Sequence, residues 1–176
     1  SRFVRPADAG GLGWHAITPL LMIPIVGNVL VPLAGLHWPV TGWMSAQFGL
    51  GLFLWPLIVG VLLARLLQVG PLPAHMTPTL FIPVAPPSAV GLALMQWSAP
   101  PVLVWGCWGV ACLSLLWALS QWRAIQRLNF GMPHWGMSFP LAAFSALCLR
   151  LGQWPEGHWL LLPGQAAVWV TSGLIL

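Results

Sequence analysis

Few side chains in this sequence can move protons, attack a carbonyl or hold a metal. Its acids are Asp8, in a polar N-terminal segment, and Glu156, between two apolar runs. No carboxylate therefore stands inside an apolar run to act as a general base or proton relay. His15, His37, His75, His134 and His158 fall near the ends of apolar runs without ligand-like spacing, which argues for interfacial imidazoles rather than haem or metal ligands. Cys107 and Cys112 share one run and Cys148 lies in the next; they form no metal motif and read as small buried hydrophobes. Neither an enzyme nor a cofactor is expected from this inventory.

What remains is backbone chemistry. Pro24, Gly27 and Asn28 lie together near the middle of the first apolar run. The third run holds Pro78, Pro83, Pro86 and Pro87, followed by Ser88 and Gly91, and the fifth holds Ser138, Phe139 and Pro140. Proline lacks an N–H and clashes with the preceding turn, so each cluster is expected to kink its helix. Carbonyls freed at that depth are tolerated only inside protein or beside a watery cavity. Breaks in three alternate helices predict a shared path along a bundle axis, whereas the lone Pro56 of the second run is read as ordinary packing. Asn28 should bond a proline-freed carbonyl or a pore water, with a packing role that ties the first span to a neighbour favoured over direct ion contact.

The elements that carry these breaks are membrane helices. Charged residues are 5% of the chain and the hydrophobic set 59%, against roughly a quarter charged in soluble domains. Six spans of about bilayer length are read at 17–36, 41–69, 77–97, 102–122, 134–151 and 158–176, after a cytoplasmic segment at 1–16. Short connections on one side and longer ones on the other make three helical hairpins, an all-α polytopic fold; the runs are too long and too uniform for a β-barrel. Arg2, Arg5, Arg65, Arg123 and Arg127 fall on one side and Arg150 on the other, which places both ends in the cytoplasm under the positive-inside rule. The net charge of +4 is thus a topology signal and not a nucleic-acid surface. Most of the thirteen tryptophans stand at span ends; Trp55, Trp105, Trp108, Trp117 and Trp169 lie deeper and are read as helix packing. The chain opens on Ser1 and stops within an apolar run at Leu176, as expected of the C-terminal piece of a longer membrane protein.

Three stretches resemble the TehA family of tellurite-resistance and C4-dicarboxylate transporters, to which plant slow-type anion channels are related. Thr18-Pro19-Leu20-Leu21-Met22-Ile23-Pro24-Ile25-Val26-Gly27-Asn28 is similar to that family's fifth helix, Pro78-Thr79-Leu80-Phe81-Ile82 with Ala85-Pro86-Pro87 to its seventh, and Trp135-Gly136-Met137-Ser138-Phe139-Pro140-Leu141 to its ninth. The resemblance implies helices five to ten of a ten-helix pore bundle, odd helices inside and even helices outside, assembled as a homotrimer in a bacterial inner membrane. It also implies a phenylalanine gate, matched here by Phe139, with Phe144 the weaker candidate. Thr77 stands where the family often has an arginine, which removes a charge from the cytoplasmic mouth that Arg65 and Arg123 could replace.

Two function classes follow: a passive anion channel or carrier for small inorganic anions or dicarboxylates, or a non-transporting membrane anchor of a redox complex. The absence of mid-depth histidine pairs favours the first.

Overall fold

Helix formation here is dictated by long apolar runs, and its interruptions by proline. In a computed structural model that describes residues 13–34 and 41–175, the α-helices are α1 (Ile23–Ala34), α2 (Gly42–Val69), α3 (Ala85–Gln96), α4 (Pro101–Ser120), α5 (Trp122–Ile125), α6 (Met132–Trp135), α7 (Ser138–Leu151) and α8 (Leu161–Ile175). The described residues contain no strand. Three segments are 3-10 helix leading directly into α-helix: Pro19–Met22 into α1, Ala74–Val84 into α3, and Pro155–Leu160 into α8. Leu36 and the outer connection with His37, like Arg2, Arg5, Asp8 and Leu176, lie outside the described residues.

Three helices, Gly42–Val69, Ala74–Gln96 and Pro101–Ser120, are long and apolar enough to cross a membrane. They differ sharply in burial: the apolar window of Ala74–Gln96 is 83% buried, those of α2 and α4 only 17%. Leu57, Leu67, Leu113 and Leu116 stand exposed on those outer helices, as do Leu162 and Trp169 on α8. Water would penalise such a surface by about 25 cal/mol for each Å² exposed, while lipid does not. The chain is an all-α polytopic membrane protein.

Packing follows the hairpins. α1 lies along α2, α3 along α4, and α7 along α8, while α1 and α7 also flank α3. One core joins Val84, Val104, Phe144, Leu147 and Leu160, and another joins Val29, Phe48, Ala89 and Ala93. The central span thus contributes to both. Close approach of the helices is made by glycines, as expected where lipid supplies no hydrophobic drive and van der Waals contact decides. A Cβ on Gly51 would lie 2.6 Å from Val29 Cγ1, one on Gly91 3.0 Å from Leu147 Cδ1, and one on Gly164 3.0 Å from Leu149 Cδ2.

The helix ends are closed by local chemistry. Thr41 Oγ1 accepts the Met44 N–H at 3.3 Å at the start of α2. Gly70 ends that helix at φ 86° and ψ −165°, a region that essentially only glycine occupies. After α3, Ser98 adopts φ 53°, and the Ser98 N–H donates to the Met95 carbonyl at 3.1 Å and that of Ala99 to Leu94 at 2.9 Å. That pair is the Schellman closure, with serine where glycine is usual. Near the same end of the bundle Trp105, Trp108, Trp154 and Trp159 meet edge to face, with centroids 5.4–6.5 Å apart. Trp108 Nε1–H also reaches Cys148 Sγ at 3.4 Å. Trp105 and Trp108 therefore pack, whereas Trp169, expected to do the same, is 78% exposed.

Candidate pore-lining site

The prolines do not kink their helices from within. Pro86 and Pro87 fall in the first turn of α3, Pro24 is the second residue of α1, and Pro140 the third of α7. Within the α-helix proper an N–H at those positions has no acceptor, so proline there costs only a bond back to the lead-in turn while its fixed φ favours the helix. The breaks lie just before each proline. In the first span it is the passage from the Pro19–Met22 segment into α1, and in the fifth the turn at Gly136 and Met137 between α6 and α7. Among the described residues only Pro32, not singled out from sequence, and Pro56 stand inside an α-helix proper.

The third span shows why this is so. Pro78 and Pro83 lack the N–H groups that an α-helix would pair with Ala74 and Thr79. The chain instead runs Ala74–Val84 as 3-10 helix, and the Ala85 N–H donates to the Ile82 carbonyl at the junction. The Pro83 carbonyl has no possible donor at i+3 or i+4, since those residues are Pro86 and Pro87.

The three breaks are brought onto one element, because α1 and α7 both pack against α3 and α6 packs against its 3-10 lead-in. They are not presented alike. Pro83, Pro86, Pro87 and Ser88 are buried, as is Pro140, while Pro24, Gly27 and Phe139 are exposed and Asn28 and Ser138 are half-buried. A Cβ on Gly27 would meet nothing within 4 Å, so packing among the described residues does not demand glycine there. Phe139 is 45% exposed in the first turn of α7, whereas Phe144 is 8% exposed within the core beside Val84 and Val104.

Polar side chains near the breaks are satisfied by their own helices. Ser88 Oγ donates to the Val84 carbonyl at 2.7 Å, Ser138 Oγ to Trp135 at 2.8 Å and Ser145 Oγ to Leu141 at 2.6 Å. Asn28 Nδ2 donates to the Pro24 carbonyl at 3.0 Å. Among the described residues Asn28 makes no side-chain hydrogen bond to another helix; its acceptor is a carbonyl four residues back on its own helix. Of these side chains Ser88 and Ser145 are fully buried, so only Asn28 and Ser138 present polar surface, and neither carries a charge.

Charge is confined to the ends. Arg65 is 1% exposed near the end of α2, its guanidinium donating from Nη1 to the Gly70 carbonyl, and its Nε has no partner among the described residues. Sequence reasoning read Arg65 as an interfacial marker and missed this burial; the only hint was a glycine five residues on. Arg123, Arg127 and Arg150 are exposed. His134 is buried, its Nδ1 accepting the Gly131 N–H at 3.1 Å and its ring stacked on Phe130 at 5.1 Å, while His15, His75 and His158 are exposed. Among the described residues no three His, Cys, Asp or Glu side chains gather as a metal site.

A buried central span flanked by helices that begin at breaks, with lipid-facing helices outside, is the architecture of a multi-pass membrane protein. The chain belongs to the voltage-dependent anion channel family, whose profile matches residues 6–176. It is 28% identical to one uncharacterized transporter of Methanocaldococcus jannaschii over 157 aligned residues, covering 76% of this chain and 43% of that protein. A second uncharacterized transporter of the same organism is 27% identical over 157 residues, with 76% and 44% covered. The chain thus spans less than half the length of these curated relatives. No solved structure matches it.

Proposed function

We propose that this chain forms part of the conducting bundle of an anion channel or carrier, with Phe139 as its gate. The observation that carries the reading is the contrast between Phe139, exposed at the break before α7, and Phe144, buried in the core one and a half turns on. A ring on the first turn of a helix that begins at a break can swing by a single rotamer change, and an apolar constriction closes by excluding water. The exposed positions of α1 around Pro24 and Gly27 supply wall, while Pro83, Pro86, Pro87 and Ser88 set the junction in the central span that holds α1 and α7 apart. The α-helical parts of spans one, three and five all begin at these junctions and run the same way, so their positive ends favour an anion without binding it as tightly as a buried arginine would. Small inorganic anions fit this neutral wall best; C4-dicarboxylates and tellurite are the larger cargoes to compare. A homotrimer in a bacterial inner membrane, both ends of this segment cytoplasmic, completes the reading.

The test is anion flux from liposomes holding the full-length protein, with chloride, nitrate, malate and tellurite in turn. Phe139→Ala should raise basal flux at least about tenfold, the scale of losing about 1.4 kcal/mol of barrier. Equal flux in wild type and variant, at equal incorporation, removes Phe139 from the gate.

A further inference from the structure

Between α2 and α4 lies a groove of about 760 Å³, walled by Leu52, Val59 and Leu63 on one side and Leu113 and Trp117 on the other, with Pro83 of the central span at its floor. From Leu52 to Leu63 a helix rises about 16 Å, close to half of the ~30 Å hydrocarbon core and so to the depth of one leaflet. Toward the arginine-rich end Trp117 also borders a second cavity of about 270 Å³, lined by Leu66, Thr77 and Gln121. The lane is therefore apolar at membrane depth and polar at its end. Positive charge stands near that end: buried Arg65, with Nη1 on the Gly70 carbonyl and Nε unpartnered among the described residues, lies in sequence between Leu62 and Leu66, and exposed Arg123 follows Gln121 by two residues. Glu156, the one acid among the described residues, sits in the connection at the opposite end of the bundle.

We propose that this lane holds one phospholipid with an anionic headgroup, drawn from the leaflet on the arginine-rich side. Its acyl chain lies in the groove against the junction at Pro83, and its headgroup sits over Thr77, Gln121 and Arg123. The complementarity is twofold, apolar length to one leaflet and positive charge to phosphate. A helix from a second copy fits less well. Within this protein the α1–α2, α3–α7 and α7–α8 contacts are brought close by Gly51, Gly91 and Gly164, and the groove lining carries no glycine.

The test is native mass spectrometry of the full-length protein, delipidated in detergent and titrated with phosphatidylglycerol or with phosphatidylcholine of identical chains. One phosphatidylglycerol per protomer should be retained at concentrations at least about tenfold below those needed for phosphatidylcholine, one factor of ten being 1.4 kcal/mol. Leu113→Trp, at a position 69% exposed, fills the groove and should abolish retention; Leu116→Trp, 64% exposed on the same helix outside the lining, should not. Arg123→Gln should narrow the gap between the two lipids. Leu63→Trp on the opposite wall repeats the measurement should Leu113→Trp not fold. Equal retention of both lipids in every variant overturns the proposal and leaves only annular lipid. A change in protomer number in Leu113→Trp with lipid retention intact also overturns it, assigning the groove to a contact between copies. The readout is independent of anion flux.

Discussion

Asn28 Nδ2 donates to the carbonyl of Pro24, 3.0 Å away and one turn back along the same helix. The bond is exposed and local, so it pairs one amide N–H without holding two of the described helices together. Replacing Asn28 with leucine should therefore cost no more than about 1 kcal/mol, the net worth of one such bond. Denaturant unfolding in micelles and the yield of assembled protein should both stay near wild type, and any effect should appear in anion flux. Loss of assembly would show that Asn28 reaches a partner beyond α1.

Gly51 and Gly27 make the opposite pair. A methyl group on Gly51 would press on Val29 Cγ1 at 2.6 Å and on the Ile25 carbonyl oxygen at 3.1 Å, while one on Gly27 would enter open space. Gly51→Ala should lower stability by about 1–3 kcal/mol through overpacking of the α1–α2 hairpin. Gly27→Ala should be neutral or slightly stabilising in the same unfolding experiment, since alanine is the better helix former. Equal stability of the two variants would contradict this account of the hairpin.

Ser98 carries a backbone strain that glycine would relieve. Its φ of 53° is the left-handed conformation of the closure between α3 and α4. An L-residue there costs roughly 1–2 kcal/mol, and glycine's extra chain entropy returns part of that. Ser98→Gly should raise the melting temperature in detergent by a few degrees, while Ser98→Val should lower it.

Phe144 and Phe139 should separate cleanly by stability. Phe144 is 8% exposed among Val84, Val104 and Leu147, so Phe144→Ala should cost about 3–5 kcal/mol. Phe139 is 45% exposed, and Phe139→Ala should cost well under half as much in the same thermal unfolding assay. Similar losses in both variants would place Phe139 in a packed contact.

Composition alone was enough to identify the solvent. With 5% charged residues no water-facing surface can be assembled; lipid then permits only helices or closed barrels, and the length of the apolar runs selects helices. The alternate clusters at Pro24, Pro83 to Pro87, and Pro140 were likewise legible, because proline's missing N–H acts within a few residues. Where the breaks fall was not legible. Whether Pro140 interrupts a helix or opens one depends on where the preceding turn ends, and here it ends at Gly136 and Met137, just before α7. Burial was a tertiary decision too. In a chain apolar on every face, periodicity cannot tell lipid from protein, so the enclosure of Ala74–Gln96, the exposure of Phe139 beside the burial of Phe144, and the withdrawal of Arg65 onto Gly70 became visible only once the helices were packed.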